Sequence, residues 1–335
     1  MSILEIDSLE ITYERRDRAK FRAVAGASLA VGRGQIVGLV GESGCGKSSL
    51  ARAAVGLVAP TAGTVSFEGR PVVPLTRRAR SRELTRLQLV FQNPYSSLNP
   101  RRRVGEQVGD GIAGDGAGRS GKSARVAELL ELVGLPANAR SRYPHEFSGG
   151  QRQRIAIARA LAADPSLIVL DEPLASLDAS AQAQVANLLL ELSKQLSLSL
   201  LLISHDLAIV HHVADVVSVM YLGKIVESGP IDSVWATPVH PYTQALIGAV
   251  PRPDGTGTMP EVLPGEVPDP AMPPLGCRFN PRCPHAMDIC RSLEPSLEPV
   301  GESRLAACWL QTPEAGSETS SPQPPINPRP SIQPT

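Results

Sequence analysis

Apolar residues recur with two different periods along the chain, and each period predicts a type of element. Residues 3–13 alternate between apolar and polar positions, which predicts a strand, and a second strand spans Ala27 to Val31. Short uninterrupted apolar runs are typical of buried parallel strands. Such runs lie at Gln35 to Val40, Leu87 to Phe91, Leu167 to Leu170 and Leu200 to Ser204.

Longer segments with helical patterns lie between these strands. They cover Ala124 to Val133, Gln151 to Ala163 and Ala181 to Leu196. Strands that alternate with helices predict an α/β fold with a doubly wound parallel sheet. Gly63 to Phe67 begins a further short strand pair, whereas the Gly-rich stretch from Gly105 to Gly121 is weakly patterned and predicts a mobile segment.

Composition divides the chain and bounds its class. After Val250, Pro and Gly become frequent and four cysteines appear; from Gln311 onward Pro, Ser and Thr dominate, which predicts a disordered tail. The 33 basic residues equal the 33 acidic ones, so no basic excess indicates nucleic-acid binding. No apolar run reaches the ~18 residues that cross a bilayer, and no signal peptide is evident. We therefore expect a cytoplasmic protein whose cysteines are reduced or bind a metal, and are not paired as disulfides.

A phosphate-binding loop follows the third predicted strand. Residues 41–48 read G-E-S-G-C-G-K-S, which fits G-x-x-x-x-G-K-[ST] between a strand and a helix. Backbone N–H groups of such a loop surround phosphate oxygens, the lysine reaches the β- and γ-phosphates, and the serine hydroxyl binds Mg²⁺. Cys45 is either a small residue that fits the loop or a thiol whose modification would block ATP. The predicted ATP contacts here are Gly41, Ser43, Gly44, Cys45, Gly46, Lys47, Ser48 and Ser49.

Two carboxylates end the apolar run at Leu167 to Leu170. Asp171 is expected to hold Mg²⁺ through water or Ser48, and Glu172 to polarise the attacking water as a general base. The plainer alternative is a pair of solvated turn residues.

The segment Phe147-Ser148-Gly149-Gly150-Gln151 completes a pattern that resembles the ATP-binding cassette (ABC) ATPases. The resemblance implies that Ser148, Gly149, Gly150 and Gln151 form a signature turn that grips a nucleotide held by another subunit. Phe147 stands where leucine is commoner and is expected to pack beneath the turn.

Further motifs of the same family follow in order. The resemblance assigns Gln92 to the loop that senses Mg²⁺ and the attacking water, and His205 to the switch that contacts the γ-phosphate. Ala175 to Asp178 matches the loop that crosses the dimer interface, so Asp178 is an expected ATP-site residue. Tyr13 is expected to stack on adenine, with Phe21 as the alternative.

The family's architecture gives the expected domains. It is a P-loop NTPase cassette with a RecA-like parallel sheet core, an antiparallel β subdomain and a helical subdomain. We expect the nucleotide-binding domain at 1–250 with the helical subdomain at about 93–163, a Cys-rich C-terminal region at 251–310, and the tail at 311–335.

Three stretches resemble the ATPases of oligopeptide and dipeptide importers, in particular the F-type subunit: Val90 to Pro100, Arg142 to Phe147, and His240 to Thr243. The resemblance implies a D-type ATPase partner, two transmembrane permeases, an extracytoplasmic peptide-binding protein and a peripheral position at the cytoplasmic face of the membrane. The segment from Asn93 to Arg103 is expected to line the groove for a permease helix, or else to be an exposed turn. The alternatives are a nickel or other small-solute importer and a soluble ABC protein.

The late cysteines form a separate candidate site. Cys277, Cys283, Cys290 and Cys308 are spaced C-x5-C-x6-C with a longer final gap, which is unusual for structural zinc. Four thiolates can hold zinc or an iron–sulfur cluster, and free thiols are the third possibility. The resemblance to the importers associates this region with a [4Fe–4S] cluster.

Overall fold

A computed structural model describes residues 2–14, 20–76, 80–93, 97–112, 118–250 and 265–311 of the chain. Its strands are β1 Ser2–Glu14, β2 Lys20–Gly32, β3 Ile36–Val40, β4 Ala62–Phe67, β5 Arg70–Pro71, β6 Leu87–Val90, β7 Leu167–Asp171, β8 Ser199–Ser204, β9 Val216–Tyr221, β10 Lys224–Pro230, β11 Glu298–Pro299 and β12 Leu305–Ala306. Residues 251–264 and, of the tail predicted to be disordered, residues 312–335 lie outside the described residues.

The helices complete the order of elements. They are α1 Lys47–Ala54, α2 Arg82–Thr85, α3 Val104–Gly109, α4 Gly118–Leu132, α5 Gly149–Leu161, α6 Ala179–Leu196, α7 Leu207–Val213, α8 Ile231–Ala236, α9 Pro241–Gly248 and α10 Asp288–Ser292. Short 3₁₀ turns lie at Ala137–Ser141, Pro144–Glu146, Asn280–Arg282 and Trp309–Gln311. None of the helices in the described ranges is long and apolar enough to cross a membrane.

Two sheets organise these elements. A four-stranded antiparallel sheet has the order β2-β1-β4-β5, and an eight-stranded sheet has the order β11-β12-β10-β9-β3-β8-β7-β6. The predicted parallel sheet is confirmed from β9 to β6, whereas β10, β12 and β11 are antiparallel to their neighbours. The parallel strands all end at one edge, which places the loops that follow them close together.

The central strands bury both of their faces, so successive residues enter different cores. In β8, Leu200 and Leu202 belong to one hydrophobic cluster with α5 and α6. Leu201 and Ile203 belong to the other, between the main sheet, α1 and the antiparallel sheet. This double burial explains why the sequence shows apolar runs at these strands and not an alternating pattern.

The helical subdomain corrects one prediction. Residues 105–109 of the stretch predicted to be mobile belong to α3, in which Val104 and Val108 are fully buried against α4 and α5. Gln107 is buried too, and its side chain bonds the backbone of Asn99 and Arg102. The prediction of mobility from glycine content is wrong for this segment because the buried side chains of Val104, Gln107 and Val108 stabilise the short helix.

Candidate nucleotide-binding site

The loop between β3 and α1 has the tight path that anion binding requires. Gly41 has φ 152° and Gly46 has φ 110°, both in the left-handed half of backbone space. A Cβ at Gly41 would lie 2.1 Å from the carbonyl oxygen of Met220, and one at Gly46 would lie 2.1 Å from that of Ala23. Glycine is therefore required at both positions by conformation and by space.

Lys47 begins α1 and folds back over this loop. Its Nζ donates hydrogen bonds to the carbonyl oxygens of Gly41 at 2.8 Å and Glu42 at 2.9 Å. The side chain is buried, so its charge lies in a region of low dielectric beside the N-terminus of α1. This arrangement concentrates positive potential at the mouth of the loop.

The carboxylates that end β7 face the loop. The Ser48 hydroxyl donates a 2.8 Å hydrogen bond to Oδ1 of Asp171. Burial raises the pKa of the Asp171 carboxyl above its ordinary value, while the hydrogen bond from Ser48 and the charge of Arg52 act in the opposite direction. A hydroxyl and a carboxylate oxygen at this distance form a donor set suited to Mg²⁺.

Glu172 gathers two other predicted residues. Its Oε2 accepts a 3.0 Å hydrogen bond from Nε2 of Gln92 and lies 3.5 Å from Nδ1 of His205. Its φ of 47° is a conformation that residues other than glycine rarely adopt, and a 3.0 Å bond from its N–H to the carbonyl of Ile203 holds it there. The loops after β6, β7 and β8 thus meet on one carboxylate.

Most of these groups line one cleft of about 380 Å³, although Gly41, Asp171 and His205 are not among its lining residues. The predicted residues that line it are Tyr13, Ser43, Gly44, Gly46, Lys47, Ser48, Ser49, Gln92 and Glu172, together with the alternative Phe21. The rings of Tyr13 and Phe21 lie 5.7 Å apart at one side of the cleft. Cys45 faces the interior instead, with only 3% of its surface exposed.

The predicted signature turn lies elsewhere on the surface. Ser148 caps α5 by accepting a hydrogen bond from the N–H of Gln151, whose side chain accepts one from the N–H of Ser148. A Cβ at Gly149 would lie 3.4 Å from the Leu177 side chain, and Asp178 caps α6. Ser148, Gln151 and Asp178 are exposed, and the turn is absent from the described residues that line the cleft.

The late cysteines lie near one another but do not converge on an ion. The N–H of Cys277 donates a 2.8 Å hydrogen bond to the carbonyl of Cys290, and burial raises the pKa of Cys277 and of Cys308 to about 11. Within the residues that the structure describes, no group of three or more His, Cys, Asp or Glu side chains could hold a metal ion. The described residues therefore give no support to the expected [4Fe–4S] cluster or to its zinc alternative.

Sequence reasoning missed a second layer behind the phosphate loop. The N–H of Glu42 donates a 2.8 Å hydrogen bond to the Tyr242 hydroxyl, and the Glu42 carboxylate pairs with Arg282. Tyr242 belongs to the His240 to Thr243 motif, which indicates the family but not this contact. Arg282 carries no recognisable signal because its partner lies 240 positions away.

Comparison with known proteins decides the family. Residues 24–175 match the ABC transporter family model, and residues 226–290 match the model of the oligopeptide/dipeptide transporter C-terminal region. A protein of Sinorhizobium fredii with the name probable peptide ABC transporter ATP-binding protein is 48% identical over 327 residues, 95% of this chain and 93% of its own length. A Brucella abortus protein with a provisional assignment as a peptide import ATP-binding protein is 50% identical over 297 residues, 88% of each chain.

The chain belongs to the ATP-binding subunits of peptide ABC transporters. This ATPase subunit also resembles solved cassettes. Clostridium perfringens cbiO1, part of an ABC transporter complex, aligns with a TM-score of 0.61 and 28% identity over 70% of this chain and 91% of its own. A dimeric cassette in a post-hydrolysis state with ADP and Pi aligns with a TM-score of 0.59 and 25% identity over 68% of this chain and 98% of its own. The predicted ABC fold is confirmed.

Proposed function

We propose that this ATPase subunit binds Mg²⁺–ATP in the cleft and hydrolyses it to energise import of peptides through a membrane ABC transporter. The observation that carries the proposal is the meeting of Gln92 and His205 on the Glu172 carboxylate, beside the Ser48–Asp171 pair. A carboxylate held at the end of a phosphate-binding cleft can polarise a water molecule for attack on the γ-phosphate.

The roles of the cleft residues follow from their positions. Lys47 and the backbone N–H groups of residues 41–48 hold the phosphates, and Tyr13 stacks on the adenine with Phe21 beside it. Ser48, Gln92 and Asp171 would hold Mg²⁺, which neutralises phosphate charge when bound. Glu172 is the general base, and His205 contacts the γ-phosphate. On binding ATP, Lys47 exchanges its two carbonyl partners for phosphate oxygens.

A second subunit completes each site. Ser148, Gly149, Gly150 and Gln151 form a turn at a helix N-terminus, where Ser148 and Gln151 are exposed and the surface suits an anion, yet they do not line their own cleft. We therefore assign them, with Asp178, to the nucleotide of the partner, a D-type ATPase subunit. ATP favours the closed pair because it binds that state more tightly than the open one.

An apolar groove offers a place for the permeases. Leu57, Leu75 and Phe91 expose 43%, 48% and 39% of their surfaces along a groove of about 420 Å³. Phe91 directly precedes Gln92, which bonds the Glu172 carboxylate, so a permease helix bound in this groove would affect that carboxylate through Gln92. The groove is lined by residues of β6 and α5 and by the segments that follow α1, β5 and α3, whereas the described residues of the predicted docking segment 93–103 do not line it.

The complete assembly would contain two permeases and an extracytoplasmic peptide-binding protein, with this subunit at the cytoplasmic face of the membrane. The test is to purify the tagged chain from its native membranes and measure ATP hydrolysis in reconstituted vesicles. Peptide with its binding protein should stimulate hydrolysis, and a Lys47→Ala chain should give none. Stimulation by nickel but not by peptide, or recovery with RNA or DNA and no membrane subunits, would favour the rival functions.

The cysteine region is a separate part of the proposal. We infer that Cys277, Cys283, Cys290 and Cys308 hold a [4Fe–4S] cluster in the native protein. This proposal rests on the resemblance to the peptide importers, whose C-terminal region matches residues 226–290 and so includes the first three of these cysteines. Iron and acid-labile sulfide should be found in anaerobically purified protein and lost in a Cys290→Ser variant. Protein that contains zinc, or neither metal, would contradict this assignment.

A further inference from the structure

A carboxylate lies within the loop that binds phosphates. Glu42 follows Gly41 directly, and its own carbonyl oxygen contacts the lysine of the loop. An uncompensated negative charge at this position would oppose the binding of a polyanion, because charges a few ångströms apart interact strongly at the edge of a protein. The site therefore needs a group that neutralises the charge of Glu42.

The positive charge that balances Glu42 belongs to Arg282, 240 positions further along the chain. Arg282 donates from Nη1 to Oε2 of Glu42 at 2.7 Å and from Nη2 to Oε1 at 3.0 Å. Only 3% of the Arg282 side chain and 21% of the Glu42 side chain are exposed. Two parallel hydrogen bonds from one guanidinium fix both the charge and the direction of a carboxylate, and they raise the pKa of Arg282.

Aromatic rings hold Arg282 in place. The preceding Phe279 is 1% exposed and packs on Tyr221 at 5.3 Å and on Tyr242 at 5.4 Å between ring centroids. Nη1 of Arg282 also lies 3.4 Å from the Tyr221 hydroxyl. Residues 279–282 are thereby attached to the end of β9 and the start of α9, next to the loop.

The phosphate loop is consequently held by both groups of Glu42. The Tyr242 hydroxyl accepts the N–H at 2.8 Å, and Arg282 binds the carboxylate. The hydrogen bond to Tyr242 restrains the backbone of Glu42, but only the guanidinium of Arg282 neutralises the Glu42 charge. The first contact therefore concerns the stability of the loop, and the second concerns its affinity for ATP.

We propose that Arg282 is a positioning residue of the ATP site: it turns the Glu42 carboxylate away from the phosphates and neutralises it, so that the segment 265–311 sets the affinity for ATP. The inference rests on the proposed function, since it concerns the same cleft. It assigns to the C-terminal segment an influence on nucleotide binding from outside the loop.

The test compares full-length variants by the dissociation constant for ATP and by the KM and kcat of hydrolysis. Arg282→Met should weaken ATP binding and raise KM about tenfold, with kcat changed less than threefold. Glu42→Gln should bind ATP at least as tightly as the wild type, and the double variant should recover to within threefold of it. The matched control Arg304→Met removes an arginine of the same segment that bonds Ser233 and Thr237, and it should leave ATP binding unchanged.

Arg282→Lys covers the case in which Arg282→Met does not fold, as judged by the melting temperature. The lysine keeps the positive charge but cannot form the two parallel hydrogen bonds. Arg282→Lys should therefore bind ATP more weakly than the wild type and the control Arg304→Met, and Glu42→Gln should correct its defect.

Equal affinity for ATP in the wild type and in the Arg282 variants would overturn this inference but leave the proposed function intact. A loss of ATP affinity that Glu42→Gln fails to correct would also overturn it, because that result is expected if Arg282 only stabilises the fold. A wild-type chain that binds no ATP would instead overturn the proposed function and, with it, this inference.

Discussion

The side-chain amide of Gln92 donates a 3.0 Å hydrogen bond to Oε2 of Glu172, 80 positions further along the chain. The bond joins the end of β6 to the end of β7 and holds the carboxylate toward the cleft. Since Phe91, the residue before Gln92, lines the exposed groove, this contact connects the surface proposed for a permease with the proposed general base.

Replacement of that base should separate binding from hydrolysis. Glu172→Gln keeps the shape and the hydrogen-bonding capacity of the side chain but removes its basicity, so phosphate release should fall by about 10²–10⁴-fold. ATP should still bind and hold the closed pair, which size-exclusion chromatography with ATP can detect. Glu191→Gln, an exposed change on α6, is the control. Wild-type turnover in Glu172→Gln would show that another group activates the water.

The signature turn offers a test with a near-isosteric control. Ser148→Asp and Ser148→Asn both keep an oxygen that can cap α5, so both should fold. Only the aspartate places a negative charge where the partner's γ-phosphate is expected. ATP-dependent pairing and hydrolysis should therefore be lost in Ser148→Asp and largely kept in Ser148→Asn. Because the turn lies outside its own cleft, ATP binding by the isolated Ser148→Asp subunit should stay normal; a loss there would place Ser148 at its own nucleotide.

Cys45 should react slowly despite its position in the phosphate loop. Burial raises the pKa of its thiol above the ordinary value, and 3% exposure leaves little access for a reagent. In native protein, N-ethylmaleimide should modify Cys45 far more slowly than in urea-unfolded protein, as measured by mass spectrometry. Rapid labelling with loss of ATP binding would instead support the exposed, modifiable thiol.

The buried His240 predicts acid sensitivity. Burial lowers its pKa from 6.5 to about 4, so between these values the unfolded chain binds a proton that the folded chain does not. The free energy of unfolding should therefore decrease as pH falls through this window, by roughly 3 kcal/mol in total for this group.

A comparison of two variants isolates that effect. His240→Asn keeps an acceptor for the N–H of Tyr242, which His240 Nδ1 bonds at 3.0 Å, but it does not titrate. Urea unfolding at pH 7 and pH 5 should show a smaller loss of stability in His240→Asn than in the wild type. Equal losses would assign the acid sensitivity to other groups.

The sequence predicts those parts of the molecule whose signals are local. The apolar runs of β3 and β8 and the glycines of the phosphate loop each reflect a requirement met within a few residues. Glu172 and Gln92 could be paired only through the family resemblance, because parallel strands bring together residues that are distant in the chain.

What could not be predicted depends on long-range packing. The helix α3 forms in a Gly-rich stretch because Val104, Gln107 and Val108 find buried partners, which propensity does not reveal. The Glu42–Arg282 pair spans 240 positions, and one arginine among many gives no indication of its partner. Likewise, the two residues of β12 are too few to show a period.

The strand β12 has a practical consequence for anyone who shortens this chain. It pairs with Glu227 and Ser228 of β10, and the N–H of Ala307 bonds the carbonyl of Val226 at 2.8 Å. A truncated protein that stops at residue 250 would expose these backbone groups on an unpaired edge strand, which favours aggregation. A minimal catalytic fragment of this subunit is therefore better made by trimming after residue 311 than by removing everything that follows the nucleotide-binding core.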